Sequence, residues 1–204
     1  MQKNNLRTRI AKIAFSIFLI LLPTTLSNAN EKDVQKFVEK VADQIIKIVK
    51  NPNIPTQKQA DQLLDIINTN FDTIWMSKFA LGRDYRDLSE EQKKEYTKLY
   101  NYYLRNTYFP ILIKYNNEHY SVTKVIKTGT NQYNASVRIG KQGRSPIDMD
   151  YTVRNDEGKY KLLDMSIEGV STIFTQRSEF STVLKQHGVD ALFKKLANTQ
   201  ISLN

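Results

Sequence analysis

His119 and His187 are the only imidazoles in this 204-residue chain, which contains no cysteine. Without a thiol there is no disulfide framework, thiolate zinc site, cysteine nucleophile or lipid-modified N-terminal cysteine. Neither histidine has a metal-type partner at close spacing. His119 stands where a helical pattern gives way to an alternating one, and His187 precedes a helix-ending Gly188. Both read as surface side chains rather than ligands. Asp148 and Asp150 lie two apart on a predicted strand and therefore share a face. A carboxylate pair can do acid–base work, but no orienting partner accompanies these two, and a solvated strand face is the commoner home for them. A Gly-x-Ser-x-Gly elbow, a phosphate loop and a dinucleotide fingerprint are all missing from the sequence. The residues argue against an enzyme.

Seven of the eleven tyrosines fall between Tyr96 and Tyr120. They could stack bases in a single-strand binder. They could equally wall a core from water, since tyrosine buries its ring and keeps its hydroxyl wet, or rim an apolar pocket. The formal charge of +9 invites the nucleic-acid reading, but much of it belongs to the N-terminus. Lys3, Arg7, Arg9 and Lys12 precede an unbroken apolar run, Ile13–Leu22, and Ser27-Asn28-Ala29 carries small residues at the spacing of a cleavage site. The run is too short for a bilayer span, which needs about 20 residues, and matches a secretory signal peptide. We expect residues 1–29 to be a cleaved signal and residues 30–204 to be one domain. Losing four basic and no acidic side chains would leave +5. An exported protein rarely meets nucleic acid, so the tyrosines read better as wall or rim. Hydrophobic residues at 40% and charged residues at 25% are ordinary for a folded domain of this size, which must stabilise itself by burial.

The elements that would position these residues run helices, strands, helices. Val34, Phe37, Val38, Val41, Ile45 and Ile48 recur at helical spacing between Asp33 and Lys50, and Asn51-Pro52-Asn53-Ile54-Pro55 closes that helix. Thr56 with Gln59, and Ser89 with Gln92, have the spacing of capping boxes. Between them, Phe71–Leu81 predicts a short helix closed by Gly82. The helix after Ser89 extends through about Leu112, with Pro110 expected to kink or end it. After Asn117 the period becomes two. Four strands joined by short turns, near 120–126, 133–139, 147–153 and 160–167, predict an antiparallel meander. Helical spacing returns from Ile173 to Leu196. The expected fold class is α+β, a single domain with a curved sheet of about four strands packed against several helices and an apolar cavity between them.

Three stretches carry a resemblance. Leu81-Gly82-Arg83-Asp84-Tyr85-Arg86 lies just ahead of the Ser89 helix start. Asp164-Met165-Ser166-Ile167-Glu168-Gly169-Val170-Ser171 is followed by Gln176-Arg177-Ser178-Glu179-Phe180, and Gly188-Val189-Asp190-Ala191-Leu192 comes later. With Phe37-Val38 and Ala42-Asp43, these resemble the MlaC, or toluene-tolerance, family from about Val34 to Leu196. Tyr85 stands where the family commonly has tryptophan. The resemblance implies a soluble periplasmic carrier with no catalytic residue and no cofactor beyond bound phospholipid as cargo. It also implies partners: an inner-membrane ABC lipid transporter with a hexameric lipid-binding ring, and an outer-membrane lipoprotein–porin complex. A chaperone or binding module for apolar polypeptides is the competing reading, and would want an open groove or a sheet edge.

Apolar positions on elements expected to face each other supply the candidate lipid-binding residues. They are Phe37, Val41, Ile45, Ile74, Phe79 and Tyr103 from helices, and Val137, Ile139, Met149, Tyr151, Leu163, Met165 and Ile167 from strands, with Phe174 after the sheet. Each could instead be plain core. Gly169 is expected to serve the strand-to-helix turn, and Glu168 with Arg177 to form a structural ion pair beside it.

Overall fold

The computed structural model describes residues 26–113, 119–140, 143 and 145–199. The signal expected at 1–29 lies outside the described residues as far as position 25. From Glu31 onward the chain forms one compact unit. It holds five helices and a five-stranded antiparallel sheet among the described residues, so the α+β expectation stands.

Helix α1 spans Leu26–Val49, beginning earlier than its apolar periodicity predicts. Its inner stripe, Val34, Val38 and Val41, is almost fully buried. Helix α2 spans Thr56–Asn70, and here the expected capping box is not formed. Pro55 occupies the cap position, and Gln59 turns away from the helix start. Its amide nitrogen donates to the carbonyls of Ile48 and Asn51, both at 3.0 Å. Ile48 is in the last turn of α1 and Asn51 lies two residues beyond it, so Gln59 ties α2 to the end of α1. Helix α3, Thr73–Leu81, starts under Asp72, whose side chain accepts from the Trp75 amide at 2.9 Å, and stops at Gly82. A 3₁₀ turn, Gly82–Asp87, leads to helix α4, Glu90–Leu112. Both halves of the Ser89–Gln92 capping box are made, at 3.2 and 2.9 Å. Pro110 sits in the last turn of α4, where it deprives the Asn106 carbonyl of its usual donor four residues on, and the helix ends at Leu112.

The strands are β1 (His119–Lys127), β2 (Gln132–Gly140), β3 (Ile147–Asp156), β4 (Lys159–Ile167) and a two-residue β5 (Val170–Ser171), paired in sequence order. The expected meander thus gains a short fifth strand. Glu157-Gly158 and Glu168-Gly169 are two-residue hairpin turns with positive φ at both positions (52° and 88°; 49° and 78°). That is the turn geometry whose twist suits antiparallel strands. Helix α5, Thr172–Asn198, is capped by Ser171 and interrupted at Gly188, where φ is 79°.

Two bulges break the strict alternation read from the sequence. In β1 the register slips between Val122 and Lys124, so Tyr120, Val122 and Val125 share the inner face and Ile126 turns outward. In β4 it slips opposite Thr152 and Val153, so Leu162, Met165 and Ile167 face inward and Leu163 is the extra residue. An extra residue on one strand shifts the parity of everything beyond it.

Two apolar clusters result. One joins α1 to the inner face of the sheet through Val34, Val38 and Val41 against Tyr133, Ala135, Val137, Val153 and Leu162. The other is helical and aromatic: Tyr96, Tyr100, Phe109, Phe180 and Leu192 between α4 and α5. Tyr96 donates to the Ser77 carbonyl at 3.0 Å and Tyr100 to Gln176 Oε1 at 2.7 Å, so these buried hydroxyls are satisfied. Helix α3 is pinned to the sheet beside β4. Phe71 pairs with Leu162 in an isolated parallel bridge, the Asp72 amide donates to the Leu162 carbonyl, and Arg154 binds the Asp72 carboxylate at 2.6 Å.

An apolar cavity as the candidate site

A cavity lies between these clusters, enclosing about 1460 Å³ of space free of atoms with the open solvent at its mouth included. The inner face of the sheet forms one wall: Val137 and Ile139 of β2, Ile147, Met149 and Tyr151 of β3, and Leu162, Met165 and Ile167 of β4. Helix α1 covers it with Val41, Ile45, Ile46 and Val49, and α2, α3 and α4 close it with Leu63, Ile67, Met76 and Leu104. Ile111 and His119 also line it yet are exposed, which places the open side where α4 ends and β1 begins. The walls are overwhelmingly apolar, so water inside gains few hydrogen bonds and hydrocarbon is the favoured occupant.

Eight of the sequence-derived candidates meet here: Val41, Ile45, Val137, Ile139, Met149, Tyr151, Met165 and Ile167. Six do not. Phe37 packs on Tyr160 at a ring distance of 5.6 Å, away from the cavity within the α1–sheet cluster. Tyr103 stacks edge-on against Phe180 and donates to Glu179, because that face of α4 belongs to α5. Leu163 is buried at the β4 bulge outside the cavity. Ile74 and Phe174 are exposed at 58% and 62%. Phe79 lies between Trp75 and Phe174 with ring distances of 5.1 Å to each. Helix α3 turns Met76, Ala80 and Leu81 inward, and its Trp75 and Phe79 pack with Phe174 as an outer aromatic cluster.

The lining residues missed by the sequence reading come chiefly from α1 and α4, with two more from α2. The α2 face of Leu63 and Ile67 was visible as periodicity, but nothing in it says core or cavity. Ile147 shares the parity of Met149 and Tyr151 and was available from the same alternation. His119, read as a surface residue, stands at the cavity mouth. It joins no metal-type cluster among the described residues.

The polar groups around the cavity are mostly committed. Tyr120 donates to Asp43 Oδ1 at 2.6 Å, bridging β1 to α1, and its phenol is pushed up by burial and then by that carboxylate. Tyr108 accepts from Gln176 Nε2 at 3.1 Å. Asp164 gathers the hydroxyls of Ser171 and Thr172 and the amides of Met165 and Ile173, fixing the start of α5. Burial pushes the Tyr151 phenol up to about 12. The aspartate pair is spent structurally. Asp148 takes a two-pronged contact from Arg138 at 2.7 and 3.0 Å, which lowers its pKa, and Asp150 accepts from Ser136 at 2.6 Å.

The expected Glu168–Arg177 ion pair is absent among the described residues. Glu168 instead accepts from the Asp148 amide at 2.8 Å, across the sheet. Arg177 donates to the Phe79 carbonyl at 3.2 Å and lays its guanidinium over the Phe79 ring, 4.9 Å from the centroid. It also fills the space beside Gly82, where a Cβ would lie 3.0 Å from Nη2. Two of the sequence stretches that carry the resemblance therefore meet in space.

A model of the family described as "MlaC protein" matches residues 39–198. The intermembrane phospholipid transport system binding protein MlaC of Haemophilus influenzae is 26% identical over 154 residues, covering 74% of this chain and 70% of that protein. A solved phospholipid-binding protein from Ralstonia solanacearum, in complex with a phospholipid, shares the fold with a TM-score of 0.70. It is 19% identical, over 81% of this chain and 95% of that one. With a family model covering most of its length and a cavity between α1, the sheet and the other helices, this chain belongs to the MlaC family.

Proposed function

We propose that the protein is an exported, periplasmic phospholipid carrier that holds acyl chains in this cavity and passes its cargo between an outer-membrane complex and an inner-membrane ABC transporter. The observation that carries the reading is the cavity itself, roofed by α1 and walled by Val137, Ile139, Met149, Met165 and Ile167. Its relatives' descriptions, one a phospholipid transport binding protein and one solved with a phospholipid, point the same way. Energetics require such a shelter. Exposing roughly thirty methylenes of a two-chain lipid to water, at about 0.8 kcal/mol each, costs about 24 kcal/mol. Transfer of cargo calls for no nucleophile or base, and the carboxylates at Asp148 and Asp150 have structural partners.

The polypeptide-chaperone alternative finds less support. Its open sheet edge would be β1, and that strand is bulged at Thr123 and carries Lys124 and Lys127. Bulges and lysines are devices that discourage strand addition.

Mass spectrometry of an organic extract of the exported protein, purified without detergent, tests the carrier reading. Near-stoichiometric phospholipid is expected. Replacing Ile139 or Met149 by Trp should lower that occupancy while circular dichroism stays native. A lipid-free wild-type protein that also takes up none from vesicles would remove the proposal.

A further inference from the structure

Among the described residues lining the cavity, one buried polar atom stands apart. The hydroxyls of Tyr108, Tyr120 and Thr172 have oxygen or nitrogen partners, and the His119 ring is at the exposed mouth. The Tyr151 hydroxyl has as its neighbour only the Met149 thioether, 4.0 Å away. A thioether is a weak acceptor, and this separation is the outer limit of such a contact. Tyr151 is half-buried on β3, opposite Ala135 on β2 and Met165 on β4, and lines the cavity. An unpaired hydroxyl in apolar surroundings is costly, and a phenylalanine there would avoid that cost. Pockets for apolar ligands typically place a few polar groups where the ligand's own polar atoms come to rest.

We infer that the Tyr151 hydroxyl donates a hydrogen bond to an acyl-ester carbonyl oxygen of the cargo, making Tyr151 the residue that sets how deeply the lipid sits. The inference rests on the carrier reading above and adds orientation to it. Tyr151 lies four residues inward from Ile147, roughly 13 Å along the strand from the end of the sheet that carries the mouth. A carbonyl held there leaves the headgroup toward Ile139, Ile147 and His119, and sends the chains on toward Leu63, Ile67 and Leu162. The raised phenol pKa is consistent with a neutral donor at any physiological pH. The cavity would therefore read the linkage of the chains as well as their apolarity.

The test uses exported protein loaded with a fluorescent phospholipid and displaced by either of two phosphatidylglycerols. The two share headgroup and chains and differ only in ester or ether linkage, so only one offers carbonyls. Wild-type protein should be displaced about three- to tenfold more readily by the diester, the worth of one neutral hydrogen bond. Tyr151→Phe, which keeps the ring, should respond to both lipids alike. Tyr103→Phe, outside the cavity and with its hydroxyl spent on Glu179, should retain the preference. Equal displacement of wild type by the two lipids, or a preference that survives intact in Tyr151→Phe, overturns the inference while leaving the carrier reading in place. Failure of the wild type to bind either lipid or the fluorescent one would overturn the carrier reading, and this inference with it.

Discussion

At the scale of single residues, much of what distinguishes this chain is backbone geometry enforced by one side chain. Gly82 ends α3 with φ 66° and ψ −132°, a region close to glycine-only, and Arg177 occupies the space a side chain would need. Gly82→Ala should cost about 1–3 kcal/mol, read as a lowered denaturation midpoint with an unchanged slope. A loss no greater than that of a surface substitution would show that the Arg177 guanidinium yields freely. The same arginine explains why the ion pair expected with Glu168 is missing. Its guanidinium is engaged by the Phe79 carbonyl and ring, while Glu168 is turned by its own positive φ of 49° toward the Asp148 amide.

At the scale of elements, the local signals that fared well are those whose partners lie within one turn. The Ser89–Gln92 box closes because both side chains reach each other's backbone with no competitor nearby. Ser89→Ala should lower stability by about 1 kcal/mol, measured by chemical denaturation, with lipid occupancy unaffected because α4 lines the cavity far from its first turn. The Thr56–Gln59 pair has the same spacing and fails, since the Ile48 carbonyl in the last turn of α1 and the Asn51 carbonyl just past it offer Gln59 two acceptors. Strand parity tells a similar story. It was right along β2 and β3, where the register is unbroken, and wrong at Leu163 and Ile126, where a bulge intervenes.

For the molecule as a whole, the tyrosines are its least ordinary feature. Tyr96, Tyr100, Tyr103, Tyr108 and Tyr151 all have their phenols raised, in each case chiefly by burial. Up to the ordinary phenol value of 10.0 both states keep these protons, so their contribution is constant. Above it the unfolded chain sheds protons that the native state retains, and stability falls as pH rises. Alkaline unfolding should therefore begin above about pH 10, with phenolate absorbance and loss of circular dichroism rising together. Phenolate appearing fully while the native spectrum persists would contradict the burial of this cluster. The cavity shares the molecule with that cluster: α4 gives Tyr100 and Tyr103 to the helical core, and Leu104 and Tyr108 to the cavity wall.

Composition, period and turn residues by themselves determined the order of elements and the antiparallel meander, and the motif stretches around Gly82, Gly169 and Gly188 carried the resemblance to the family, because each depends on neighbours in the chain. The strand faces yielded six cavity residues, Val137, Ile139, Met149, Tyr151, Met165 and Ile167, and the apolar stripe of α1 added Val41 and Ile45. Which apolar residues became core, cavity or surface was decided only by tertiary structure. Phe79 and Ile74 are as apolar as Met149, yet they lie outside because α3 commits Met76 and Ala80 to the interior, and Phe174 of α5 packs on Phe79 there, itself 62% exposed. Tyr103 is held by Phe180, a residue 77 positions away in sequence. Hydrophobicity states that a side chain will leave water; the packing of distant elements states whether it meets another side chain or an empty space left for a ligand.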